Sequence, residues 1–116
     1  MKNAGARKHL VNAAEALRKG DWSGSVRESI HAVESVATAL APGDGTLGAA
    51  LKTIEKRGHL HGALKAAFEK LYGYSSDEKG VRHALVFDDR AKVDEADALF
   101  MLGACASFIS YLLSRS

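Results

Sequence analysis

Apolar residues recur at three- and four-residue intervals along most of the chain, and nothing alternates at period two over a convincing length apart from the short run 84–87. That pattern predicts helices, because 3.6 residues per turn bring positions three and four apart onto one face. The first is expected over 4–19, with Leu10, Ala13, Ala14 and Leu17 on one side and Gly20 as its stop. Asp21 can cap the second with its side-chain oxygen. There Trp22, Val26, Ile30, Val33, Ala37 and Leu40 form the inner stripe, and Arg27, Glu28, His31 and Glu34 the opposite face. Ala41-Pro42-Gly43-Asp44-Gly45 contains the chain's one proline and two glycines and reads as a loop. Thr46 then caps a third helix that carries Leu47, Leu51 and Ile54 and ends near Arg57-Gly58.

A fourth helix is expected over 61–72, with Leu64, Ala67, Phe68 and Leu71 inward, Lys65, Glu69 and Lys70 outward, and Gly73 closing it. The polar run 75–80 leads into a short helical turn over 81–86. The last helix begins near Asp94, sets Glu95 and Asp97 in its first turn where the helix dipole favours acids, and runs to about Leu113. Leu99, Leu102, Ala106, Ile109 and Leu113 form one apolar face of it, and Phe100, Ala104, Phe108 and Tyr111 a second. A helix apolar on both sides is either central in its bundle or shared with a partner subunit. Together these elements predict one all-α domain, an antiparallel helical bundle of about five helices.

Composition adds limits to that picture. The 116 residues suit one domain, and 47% apolar with 26% charged residues is the balance of a folded globule. A net charge of +2 provides no overall field for coating nucleic acid, so any such contact must come from a local patch. Cys105 stands alone, which excludes an internal disulfide, leaves too few thiolates for a structural zinc site and suits a reducing cytoplasm. Lys2, Arg7 and Lys8 precede no apolar run long enough for a signal peptide. The apolar stretch 96–113 is interrupted by Asp97, Gly103 and Ser107 and falls short of a span of about 20 residues. A cytoplasmic protein without membrane contact, cofactor or metal is expected.

Few residues stand out chemically. His59 and His61 are two apart but lack a third ligand nearby, so they read as a cap or surface pair. Gly43 to Gly48 is glycine-rich without the Lys-Ser/Thr of a phosphate-binding loop and reads as a turn. His31 shares a surface with Arg27 and Glu34, either as an ordinary solvated face or pointing at a cleft. Arg82-His83 sets a permanently charged guanidinium beside an imidazole, a combination that can stabilise phosphate charge and move a proton. Consecutive helical residues nonetheless diverge by about 100°.

The series Ser29-Ile30-His31-Ala32-Val33-Glu34-Ser35-Val36-Ala37, Thr46-Leu47-Gly48 with Ala50-Leu51, Leu71-Tyr72-Gly73-Tyr74-Ser75-Ser76-Asp77 and Gly80-Val81-Arg82-His83-Ala84 resembles the HEPN-like domain at the C-terminus of bacterial proteins related to abortive-infection factors. The likeness covers about residues 22–113. It implies an antiparallel bundle, often a homodimer, in a superfamily rich in metal-independent ribonucleases of toxin, phage-defence and RNA-processing systems. Active members carry an Arg and then a His with about four to six residues between them, and dimerisation joins two copies in one composite site. Here Ser76, Asp77 and Glu78 stand where that Arg would precede His83, and Phe87, Asp88 and Asp89 where that His would follow Arg82; Lys79 is the nearest basic residue with useful spacing. The resemblance therefore implies a non-catalytic dimerisation or binding module of a defence or RNA-related system. Its partners would be a second copy, RNA or a nucleotide, an effector domain or an antitoxin. The alternative it implies is a ribonuclease in which Arg82 stabilises phosphate charge, His83 moves the proton, and His31 and Glu34 complete the site. In the non-catalytic case Glu34 or Asp77 pairs with Arg82 to hold the bundle together.

Overall fold

The computed structural model describes residues 4–76 and 93–116, and within them the chain forms five helices and no strand. They are α1 (Ala4–Lys19), α2 (Trp22–Leu40), α3 (Leu47–Lys56), α4 (Gly62–Ser76) and α5 (Glu95–Arg115). An all-α bundle is what the periodicity required. The helix starts follow local chemistry: the Asp21 side chain accepts from the Gly24 N–H, and the Thr46 hydroxyl from the Ala49 N–H. Asp94 and Asp97 cap α5 reciprocally, each carboxylate accepting the other residue's backbone N–H.

The central element is α2. Its buried residues include Val26, Ile30, Val33, Val36 and Ala37, and it packs on α1 along one side and α5 along another, with α3 and α4 against it more lightly. Gly20, at a positive φ of 84°, turns the chain so that α1 and α2 run back along each other. Their seam is built from small residues. Ala6, Ala13, Ser25, Ser29 and Ala32 are all buried. Each buried hydroxyl is satisfied, Ser25 Oγ donating to the Ala13 carbonyl at 2.8 Å and Ser29 Oγ to the Ser25 carbonyl at 2.9 Å.

Two expectations need correction. Gly73 does not close the fourth helix, which continues to Ser76; a glycine weakens a helix by about 1 kcal/mol relative to alanine but does not stop it. Along α4 the inward set shrinks to Phe68, with Leu71 half-buried, while Leu64 and Ala67 are exposed.

The last helix also departs from both faces read from the sequence. Its buried stripe is Ala98, Met101, Cys105, Ile109 and Leu112, which runs between those two faces and shares only Ile109 with them. Leu99 and Phe100 are 58% and 60% exposed. A helix apolar all round gives no periodic signal for which side meets the core. At 21 residues α5 also exceeds the stretch 96–113, and by length and composition alone it could cross a membrane. Its stripe of Ala98, Met101, Cys105, Ile109 and Leu112 packs in the bundle core, and 28% of the apolar window is buried. The short helical turn expected over 81–86 lies outside the described residues.

Candidate functional site

Two surfaces concentrate the unusual chemistry. The first lies on the α1–α2 hairpin, where residues equidistant from Gly20 face one another: Gly5 with Ser35, His9 with His31, Asn12 with Glu28. Helical spacing puts His9 and Asn12 on one ridge of α1, and Glu28 and His31 on one ridge of α2. A Cβ on Gly5 would come within 2.7 Å of Ser35 Oγ, so a glycine there lets the two helices approach closely.

Glu28 is the hub. His9 Nδ1 lies 3.0 Å and His31 Nδ1 3.2 Å from the same carboxylate oxygen, Oε2, while the Asn12 amide donates to Oε1 at 3.0 Å. The two imidazoles meet edge to face, 5.4 Å between centroids. Partial burial works against the ionised Glu28, but the hydrogen bonds from Asn12, His31 and His9 outweigh it and hold the carboxyl below its ordinary range. The nearest ligand atoms of His9, Glu28 and His31 all lie within 4.8 Å of one another. The cluster separates two open depressions, one bordered by His9, His31, Glu34, Ser35 and Thr38, the other by Asn12, Lys19, Arg27, Glu28 and His31 among others.

Glu34 serves a different contact. The Tyr72 hydroxyl donates to its Oε2 at 3.4 Å, tying α4 to α2. Burial and then the neighbouring Glu34 charge push the Tyr72 hydroxyl above its usual pKa. Of the residues singled out from the sequence, His31 and Glu34 thus share a ridge but have different partners. Arg82, His83 and Asp77 lie outside the described residues, and with them the expected meeting of His31 and Glu34 with Arg82 or His83. His61 is a cap, as expected: its Nδ1 accepts from the Ala63 N–H at 3.0 Å. Cys105 is buried, which raises its thiol to about 12 and leaves it unreactive.

His9 and Asn12 escaped the sequence reading. They contribute nothing to the apolar stripe of α1, and only pairing positions on either side of Gly20 would have placed them opposite His31 and Glu28.

The second surface is apolar and lies between α4 and α5. Phe68 and Phe108 stack at 4.3 Å with rings nearly parallel. Around them Leu64, Ala67, Leu71, Ala104 and Tyr111 border a groove of about 280 Å³. Arg115 lies over the Tyr111 ring, 5.0 Å from its centroid. A second apolar hollow continues past Leu71, Tyr74, Phe100 and Met101 toward the start of α5. Comparison of the chain with known protein families, with curated proteins and with solved structures finds no match.

Proposed function

We propose that this chain is a HEPN-like, non-catalytic dimerisation module of a bacterial defence or RNA-related system, working as a homodimer. The observation that carries the reading is the outward flank of α5. Phe100, Gly103, Ala104, Ser107, Phe108 and Tyr111 follow one another at helical spacing beside the buried stripe. Large residues stand at both ends of that flank and small ones between them. Phe100 projects into solvent while Phe108 borders the groove.

A second copy is the occupant this pattern fits. Ala104 lies midway between Phe100 and Phe108, so a two-fold axis near Ala104 directs each exposed Phe100 toward the groove beside the partner's Phe108. Gly103, Ala104 and Ser107 let two helices come close at the axis. An exposed aromatic and a matching apolar groove on the same chain are the self-complementary surface a symmetric dimer needs.

Analytical ultracentrifugation tests the reading. The wild type should sediment as a dimer and Phe100→Asp as a folded monomer, because Phe100 has little core to lose. A strictly monomeric wild type at high concentration would overturn it. The non-catalytic half is tested by incubating single-stranded RNA with the protein in EDTA. No cleavage is expected, whereas cleavage lost in both His83→Ala and Arg82→Lys would install the ribonuclease alternative.

A further inference from the structure

We infer that His9, Glu28 and His31 form a binding site for a divalent transition cation of the zinc class, clipping α1 to α2. The inference is independent of the dimer reading and uses different residues. Two imidazole nitrogens converge on one carboxylate oxygen at 3.0 and 3.2 Å. Tetrahedral zinc, with ligand bonds of about 2.0–2.2 Å, holds its ligand atoms about 3.3–3.5 Å apart. The two Glu28–imidazole separations need to open by only a few tenths of an ångström, and the imidazole nitrogens, within 4.8 Å of each other, to settle at the same spacing, for one cation to stand among all three groups. Side chains about half to three-quarters covered can make that adjustment by small rotations, the exposures being 34% for His9, 25% for Glu28 and 49% for His31.

Three further features fit a ligand set better than a chance cluster. Asn12 fixes the Glu28 carboxylate by the oxygen that the histidines do not use, donating to it at 3.0 Å. The ligands come from two helices in a hairpin whose close approach is set by Gly5, Ala13 and Ser25, so their backbones are rigidly registered. Three protein ligands would leave a fourth position for water or an anionic oxygen ligand, and an open depression bordered by both histidines adjoins the cluster. Two nitrogens and one carboxylate oxygen suit zinc, and also nickel and copper, over magnesium or calcium, which prefer all-oxygen shells.

The experiment is a competition titration of the full chain with Zn²⁺ against a chromophoric chelator, with Co²⁺ substitution to read the geometry. One equivalent should bind, and Co²⁺ should show the intense visible absorption of a four-coordinate site. His31→Ala should weaken binding by more than about tenfold, and Asn12→Ala, which acts through Glu28, by about tenfold. His31 makes its contacts at the surface, so its replacement should leave the helical circular dichroism unchanged; Glu28→Gln provides an isosteric second variant. His59→Ala with His61→Ala should bind as the wild type does, because those rings lie outside the cluster. Absence of binding tighter than about millimolar would overturn the site, as would an affinity within twofold of wild type in both His31→Ala and Glu28→Gln.

Discussion

Between α1 and α2 the chain places Ala6, Ala13, Ser25 and Ser29, none of them large, and satisfies every buried hydroxyl at short range. Between α4 and α5 it places Phe68, Phe108, Leu71 and Tyr111, and leaves an open apolar groove beside them. The first seam is tight because small side chains let two backbones approach and because a hydroxyl can reach the facing carbonyl. The second is wide because aromatic rings hold the helices apart, so its outer edge lacks partners among the described residues. The first seam is closed by contacts within the chain, and the second leaves apolar surface open among the described residues. Both use α2 as a common wall, α1 against one side and α5 against another.

The sharpest way to break this contrast is to make the same substitution in both regions. Ala13 is fully buried in the tight seam, and Ala104 borders the open groove. Ala13→Leu should overpack the seam at a cost of about 3 kcal/mol, lowering the melting temperature by about 10 °C or more. Ala104→Leu, placed in the Phe100→Asp background to remove any effect of association, should change stability by less than about 0.5 kcal/mol. Thermal melts followed by circular dichroism decide it. Equal losses would mean that the two seams are packed alike.

A smaller effect separates the helix starts. Asp21 caps α2 at the turn that joins the tight pair, and Asp94 caps α5 with Asp97 returning the bond. Replacing either aspartate by alanine should cost about 1 kcal/mol. The consequences should differ in extent. Asp94→Ala should speed hydrogen exchange only over the first turn of α5, whereas Asp21→Ala should loosen amides on both sides of Gly20, because the turn sets the register of the whole hairpin. Exchange confined to the first turn of α2 in the Asp21 variant would break the link between cap and register.

The same contrast explains how much of the molecule was legible in its sequence. Caps are local, so Asp21 and Thr46 marked their helices correctly, and the acids of the first turn placed the start of α5 near Asp94. The α2 stripe was legible because Val26, Ile30, Val33 and Ala37 alternate with charged residues that make the other side unambiguous. The orientation of α5 was not, since apolar residues on nearly every side leave the inward one undetermined until α2 is in place. The tight seam was hidden because alanine and serine add little to hydrophobic periodicity, although Ala13 was rightly set on the inner side of α1. For the His9–Glu28–His31 cluster, the sequence marked the α2 half as a polar face and missed the α1 half. Its three members meet through the register of two helices, which no single-helix pattern contains.

The smallest expected effect is the acid response of the tight hairpin, measured with a chelator present so that no cation contributes. Glu28 has its pKa lowered in the folded protein: burial alone would raise it, and the hydrogen bonds from Asn12, His31 and His9 more than reverse that. A carboxyl with a depressed folded-state pKa binds its proton more readily when the chain unfolds, so the stability it contributes is present above the unfolded value of about 4.3 and is lost as pH falls through the folded value. The stability advantage that this shift gives wild type over Glu28→Gln should therefore shrink as pH falls below about 4.3. The side chain remains 25% exposed, so solvent screening keeps the change smaller than either the seam or the cap effect. Tyr72→Phe, on the α4 side, should leave this acid limb untouched, since the Tyr72 hydroxyl is shifted upward and its linkage appears only as pH rises past about 10. Urea titrations of the three proteins between about pH 3 and pH 6 read the difference directly. An acid limb equally steep in wild type and Glu28→Gln would show that Glu28 is no more firmly held than a surface carboxylate, and would remove the polar clasp from the description of the tight seam.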